Sequence, residues 1–494
     1  MTLNTDVAST YPLDTYLSEV DRLLTSSAPR QESAVGSTES IPHRRLFQAQ
    51  HRKLSAEDNQ YLSFKAAFEL VPKSLQITLL VAYVKYVHPL LPALDLNRFL
   101  TSLIVEDDTK FESPLVYQAA MMASAAFVSD DDIVTAGFHS RNSLRKALFE
   151  RTKLLYEFET EPNLISQIQA LLLMTLWYEA DSHHKDPYYW LDLACTAAER
   201  KGLLPSLYLD DLSPRQNLWW CLYARDRMIS LAFQRPLRIQ NNTLQISMLS
   251  FADLKYETYP ALVHETLGSN SEILCQWNQE KSFALFKEQV KLTHCIGIML
   301  EYLYQGAWEP SFLNDNYSLM PTKSPSLTMI NACEDFLKAW MRDLPKSAQY
   351  DPSDCPLSEP MNRVFMVHQA FLRLLYMTAM SILYKTEDDD NLTSNRAQDR
   401  RDLKAEIDRM LVELCDFNLL LFLPAATVTI LKCGLETSLL DLKVSDRTLR
   451  LQALSSLYTF EQAAWNLLPS YPSMEHVLWR AQMARSNLLG LVET

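Results

Sequence analysis

The stretch that most constrains the fold is residues 215–236, which read RQNLWWCLYARDRMISLAFQRP. Ser213 and Pro214 precede it as a helix start, because serine caps a helix N-terminus and proline at the first helical position loses no backbone hydrogen bond. At helical spacing, one side carries leucines with Arg225, and the next side carries tryptophan and tyrosine with Asp226. Buried arginine and aspartate are tolerated only when they are paired and hydrogen-bonded. We therefore predict a helix that crosses the core with its charges held by specific partners.

Glycine is scarce in the rest of the chain, and apolar residues recur mostly every three or four positions. The chain has only eight glycines, and the closest two, Gly297 and Gly306, are nine residues apart. No glycine-rich nucleotide-binding loop or P-loop can be drawn from them. Hydrophobic residues make up 48% of the chain, which is ample for a large core. These patterns predict an all-α, multi-helix fold with no significant sheet.

The composition disfavours two kinds of partner. The formal net charge is −14, which opposes the counterion release that drives autonomous binding to DNA. No uninterrupted apolar run reaches the eighteen or so residues that a membrane span requires. We therefore expect no direct sequence-specific DNA binding by this chain and no association with a membrane.

The spacing of the cysteines excludes a zinc binuclear cluster within these residues. Such a cluster needs six thiolates in a compact pattern, because two zinc ions share bridging sulfurs. The eight cysteines are never closer than eighteen residues; they are Cys195, Cys221, Cys275, Cys295, Cys333, Cys355, Cys415 and Cys433. Their scatter through apolar stretches is typical of reduced thiols in an intracellular protein. We expect the nucleus, with the cytoplasm as an additional location.

Residues 215–236 closely resemble the middle homology region of fungal zinc-cluster transcription factors. The resemblance lies in Arg-x-x-Leu-Trp-Trp, then Leu-Tyr-x-x-Asp-Arg-x-x-Ser, then Arg-Pro. Further segments upstream resemble other parts of that region in the same order; they are residues 83–99, 168–173 and 190–203. Residues 61–70 resemble the lead-in of the cutinase-regulator branch.

The resemblance implies the helical regulatory domain of that family, and it covers about residues 58–250. We expect an N-terminal helix and flexible linker over 1–57, the regulatory domain core over 58–250, and a C-terminal helical continuation of the same body over 251–494. The family usually has glycine where Gln234 stands, and it has glycine and arginine where Asp192 and Thr196 stand. A ligand contact that relatives make through these three positions is therefore not expected to be the same in this chain.

The resemblance and the dispersed cysteines together suggest a regulator or co-regulator of fungal secondary or carbon metabolism. It would act without a zinc cluster of its own, through DNA-binding transcription regulators or as a homodimer, and would answer to a small-molecule effector. Two alternatives stay open. One is a regulatory-domain fold recruited as a biosynthetic cyclase or isomerase; the other is a truncated gene model of a full zinc-cluster factor.

The polar and aromatic residues of the 215–236 stretch allow two interpretations. One is a buried charge network that fixes the register of the helix. The other, which the resemblance permits, is a pocket that binds the effector. The candidate residues are Arg215, Trp219, Trp220, Tyr223, Arg225, Asp226, Arg227 and Arg235. We assign no catalytic residue, no metal ligand and no cofactor.

Overall fold

The computed structural model describes residues 54–105, 113–178, 185–203, 213–233, 235–240, 257–303, 326–353, 358–385, 395–442 and 446–492. All of them belong to one compact unit, Arg44–Thr494. The N-terminal helix expected within 1–57 lies outside the described residues.

The described part of the chain contains seventeen α-helices and no strand, which confirms the predicted all-α class. The first nine are α1 (Ala56–Phe64), α2 (Lys73–Ala82), α3 (Leu96–Ile104), α4 (Pro114–Ser124), α5 (Asp130–Thr135), α6 (Arg141–Glu157), α7 (Leu164–Met174), α8 (Pro187–Lys201) and α9 (Ser213–Phe233). The next eight are α10 (Ala261–Leu267), α11 (Gln276–Leu303), α12 (Leu327–Arg342), α13 (Pro360–Lys385), α14 (Asn395–Asp416), α15 (Thr427–Asp441), α16 (Arg447–Leu467) and α17 (Met474–Val492). A π-helical turn, Tyr83–Val87, continues α2.

Two helices that are buried over most or all of their length lie in the core. Every residue of α4 is buried, and α4 packs against α2, α6 and α7. Most residues of α13 are buried as well, and α13 packs against α11, α12, α14 and α15. Helices this deeply buried need neighbours on several sides, and the packed helices named here supply them.

Helix α13 is long and apolar enough to cross a membrane by length and composition alone. Within the described residues it is the one helix that passes this test, and 89% of its apolar window is buried inside the protein. Its apolar surface is therefore accounted for by packing in the core.

Helix α8 shows how local sequence sets the helix ends near the candidate site. Asp186 caps its N-terminus by accepting a hydrogen bond from the backbone N–H of Tyr189 over 2.9 Å, and Pro187 follows at the first helical position. Gly202 ends the helix in a left-handed conformation with a φ of 71°, which glycine adopts without steric cost. Local sequence therefore sets both ends of α8.

Helix α9 lies among α7, α8 and α11. Most side chains of α9 between 218 and 231 are buried. A helix buried this deeply must find partners for its charges inside the protein.

A buried histidine on α13 gives the core a sensitivity to acid. His368 is 1% exposed, and its Nε2–H donates to the backbone carbonyl of Lys85 over 2.7 Å. Burial lowers the pKa of His368 to about 4. The folded protein therefore keeps this imidazole neutral at a pH where an unfolded chain protonates it.

We expect the stability of the protein to fall as pH decreases from about 6.5 towards 4, because the unfolded chain, with a histidine pKa near 6.5, binds protons that folded His368 does not. His368→Gln keeps an N–H donor and removes the titration. Between pH 7.5 and 5 the natural protein should lose about 2 kcal/mol more unfolding free energy than this variant. Urea unfolding followed by tryptophan fluorescence measures the difference. The exposed His139→Gln should keep the natural pH dependence, and a His368→Gln profile parallel to it would contradict the assignment.

Candidate functional site

The candidate residues lie on α9 and on the segment 235–240 that follows it. Helix α9 begins at Ser213, the predicted start. Trp219, Trp220 and Tyr223 are buried, and Tyr223 is fully inaccessible. The side chain of Arg215 lies outside the described residues, so the site is built from the other seven.

The centre of the site is an ion pair between Asp226 and Arg227, both 0% exposed. Arg227 Nη1 donates to Asp226 Oδ2 over 2.8 Å, and Nη2 donates to the carbonyl oxygen of Ile239 over 2.7 Å. The Asp226 carboxylate also accepts the backbone N–H groups of Arg238 and Ile239, each over 3.0 Å. Neighbouring residues of a helix do not normally face each other, so the direct contact between Asp226 and Arg227 needs further support. Segment 235–240 gives that support, because it supplies three of these hydrogen bonds.

The Tyr223 ring packs against the face of the Arg227 guanidinium, whose central carbon lies 3.5 Å from the ring centroid. The Tyr223 hydroxyl lies 2.7 Å from Nδ1 of His294 on α11. Burial lowers the pKa of His294 and raises that of Tyr223 to about 12, so a neutral imidazole faces a protonated tyrosine. A desolvated cation on an aromatic face contributes roughly 2 kcal/mol. The network thus reaches from α9 into α11.

The electrostatics of the pair favour a role in specifying structure. Burial raises the pKa of the Asp226 carboxyl, while Arg227 and the backbone N–H groups of Arg238 and Ile239 act in the opposite direction. Because desolvation offsets most of the attraction between two buried charges, such a pair adds little net stability. Loss of one partner is costly, however, because the other charge stays buried and alone.

Arg225 makes a separate contact on the side of α7. Its Nε donates to the hydroxyl of Thr175 over 3.0 Å, and its Nη2 donates to the Thr175 carbonyl oxygen over 2.8 Å. Thr175 is the C-cap of α7 and is fully buried. Residues 225–227 therefore tie α9 to the end of α7 and to segment 235–240.

Arg235 docks segment 235–240 on the start of α8. Its Nη2 lies 2.8 Å from Oδ2 of Asp186, and its guanidinium lies 4.9 Å from the centroid of the Tyr188 ring. The Tyr188 hydroxyl donates to the Pro236 carbonyl oxygen over 3.1 Å. One helical turn further on, Asp192 forms an ion pair with the Arg238 side chain. Asp192 stands where the family usually has glycine, and in this chain it binds segment 235–240 through Arg238.

The candidate residues do not line one common pocket among the described residues. Trp219 lines a cavity of about 220 Å³ with Cys195 and Glu199 of α8 and with Arg238. Its indole Nε1 finds no hydrogen-bond partner in the described part of the chain. Arg225 lines a different cavity in the core, of about 30 Å³. The candidate residues therefore border two different cavities, whereas the pocket predicted from the sequence was a single one.

Sequence reasoning named the charges of α9 but missed the groups that bind them. Thr175 and His294 are polar residues within apolar helical stretches, and that placement is the signal that could have found them. The backbone groups of Arg238 and Ile239 carry no side-chain signature at all. Within the described residues, no three His, Cys, Asp or Glu side chains come together as metal ligands would.

The model of the fungal specific transcription factor domain matches residues 80–338, which is more than half of the chain and includes all of α9. The chain belongs to the fungal specific transcription factor domain family. The resemblance carried by residues 215–236 and by the segments upstream is thereby confirmed.

Curated relatives within this family have similar sequences over much of the chain. Cutinase transcription factor 1 beta of Fusarium vanettenii is 31% identical over 416 residues, covering 79% of this chain and 47% of the relative. Transcription factor cpaR of Aspergillus oryzae is 30% identical over 335 residues, covering 65% and 54%. Fusaric acid cluster transcription factor FUB12 of Gibberella moniliformis is 24% identical over 299 residues, covering 60% and 41%. The chain thus spans about half the length of the curated relatives that it matches.

We expect Asp226→Asn to destabilise this transcription factor domain by about 3–5 kcal/mol, because it leaves Arg227 buried without its counter-charge. Asp192→Asn is the matched control, since Asp192 binds the same segment but is 40% exposed. It should cost at most about 1 kcal/mol. Thermal unfolding followed by tryptophan fluorescence compares the two variants. Equal, small losses in both would mean that the buried pair does not hold the segment.

Proposed function

We propose that this chain is the regulatory body of a fungal transcription regulator that reaches promoters through protein partners. The observation that carries the proposal is the match to the transcription factor domain over residues 80–338, which contains the complete α9 network. Relatives that are 26–31% identical to this chain are named as transcription factors. A nuclear location follows from such a role.

The chemistry of these 494 residues favours partners over direct contact with DNA. The cysteines are at least eighteen residues apart, so the thiolate cage of a zinc binuclear cluster cannot be built from them. The net charge of −14 repels the phosphate backbone at long range. DNA-binding transcription regulators, or a second copy of this chain within a larger complex, would supply the contact with the promoter.

The regulated process is fungal metabolism. Two relatives carry names that refer to cutinase and to the fusaric acid cluster, and these names support control of secondary or carbon metabolism. A small molecule bound within the helical body would then report the state of the pathway. The cavities beside Trp219 and Arg225 both adjoin α9 and support such an effector.

We expect selection from a random DNA pool with the purified 494-residue chain to enrich no sequence, because these residues offer neither a zinc cluster nor a positive net charge. The same selection with the complex captured from fungal nuclei should enrich one. A zinc-cluster regulator with its cluster intact serves as the positive control. Tight, sequence-specific binding by the chain alone would contradict the proposal.

Deletion of the gene separates regulation from catalysis. Loss of a group of co-regulated transcripts, restored by the natural gene and by Asp192→Asn, is the expected result. Normal transcripts together with an accumulated pathway intermediate would contradict the proposal and would favour a biosynthetic enzyme.

A further inference from the structure

A cavity of about 30 Å³ in the core is lined by two arginines that have no acidic partner among the described residues. Arg145 of α6 and Arg225 of α9 both line it, together with Gln289 of α11 and the aromatic rings of Phe371 and Tyr471. Its described lining residues include no aspartate or glutamate. The cavity is therefore a positively charged space inside an apolar core.

Arg145 is held from several sides, and none of its described neighbours carries negative charge. It is 1% exposed, and its Nη1 donates to the backbone carbonyl oxygen of Ser470. Its guanidinium lies 5.0 Å from the Trp177 ring centroid and 5.4 Å from that of Tyr471. Burial lowers the pKa of Arg145 to about 10, with the nearby Arg141 acting in the same direction. This guanidinium lacks the counter-charge that a buried cation normally has.

The two guanidinium groups converge on consecutive carbonyls. Arg225 donates to the Thr175 carbonyl oxygen over 2.8 Å, and Arg145 Nη2 donates to the Leu176 carbonyl oxygen over 3.2 Å. Both carbonyls lie just after the end of α7, where a helix carries about half a negative charge. That partial charge offsets only a fraction of two full positive charges. In the described part of the chain, neither arginine has a carboxylate within ion-pair distance.

Two polar atoms of the lining residues are available to bind a ligand. Nε of Arg145 and Oε1 of Gln289 are buried and have no hydrogen-bond partner among the described residues. The other end of the Gln289 amide donates to the Leu90 carbonyl oxygen over 3.0 Å, which fixes Oε1 as the free acceptor. The site thus offers N–H donors from two cations and one carbonyl-type acceptor.

We propose that this cavity binds a small planar oxyanion that also carries an O–H group, of the size of bicarbonate or glycolate. Guanidinium groups match planar oxyanions in charge and in geometry. The O–H group would donate to Gln289 Oε1, which no simple carboxylate does. A volume of about 30 Å³ corresponds to about two water-sized groups at 10–15 Å³ each, so a longer chain does not fit.

Occupancy of this site would act directly on the candidate functional site. Arg225 precedes the Asp226–Arg227 pair on the same helix, so an anion held by Arg225 fixes α9 against the end of α7. Most of the lining is buried, while Tyr86, Phe127 and Leu176 are half-buried, so we expect entry to need small movements of the side chains and to be slow. Binding experiments should therefore follow a long incubation.

We expect sodium glycolate or sodium bicarbonate to raise the melting temperature of the purified full chain with saturation, and to give a binding isotherm in calorimetry. Sodium acetate, which lacks the O–H group, should bind about five- to tenfold more weakly. Sodium chloride at equal ionic strength should have no such effect. If no oxyanion exceeds chloride, or if acetate binds as tightly as glycolate, the proposal is wrong.

Two variants and a control identify the site. Arg225→Gln should lose the response to the anion, while Arg373→Gln, which alters an arginine of α13 outside this cavity, should keep it. Gln289→Leu decides the question even if Arg225→Gln fails to fold, because it removes the acceptor proposed for the O–H group of the ligand. Glycolate and acetate should then bind this variant equally well, and a retained preference for glycolate would overturn the proposal. Binding is measured on purified protein, so its failure leaves the proposed role in transcription untouched.

Discussion

The structure depends on the need to satisfy the charges of a helix that has almost no contact with water. Asp226 and Arg227 are completely buried, and each has its hydrogen bonds to segment 235–240 and to the other. Arg225 donates two hydrogen bonds to Thr175 at the end of α7. Leaving any of these groups unpaired costs several kcal/mol, so α7, α9 and segment 235–240 have one compatible arrangement. The register of the central helices follows from that requirement.

Much of this arrangement was predictable from the sequence. The proline-marked start of α9, the spacing of its leucines and tryptophans and the scarcity of glycine predicted a buried helix in an all-α body, and the resemblance of residues 215–236 predicted the family. The partners of the charges were not predictable in the same way. Backbone groups such as the N–H of Ile239 have no signature, and contacts such as Tyr223 with His294 join residues 71 positions apart. Arg145 was missed because α6 reads as a helix with a mixed polar face.

The two interpretations of α9, a structural charge network and a binding pocket, apply to different residues. The pair formed by Asp226 and Arg227 is closed by protein groups and fits a role in fixing structure. Arg225 borders a cavity with a second arginine and fits a role in binding. Because the two parts are adjacent on one helix, a ligand in the cavity would change the stability of the network beside it. A regulator needs such a link between a binding event and the position of a helix.

Helix α9 cannot move away from its partners without leaving buried charges unpaired, so it should open only when the whole protein unfolds. Hydrogen–deuterium exchange of the native chain, resolved by mass spectrometry, tests this directly. We expect the amides of residues 219–233 to exchange among the slowest, through global unfolding only. Exchange of those amides as fast as that of the exposed helix α1 would contradict this role of the charge network.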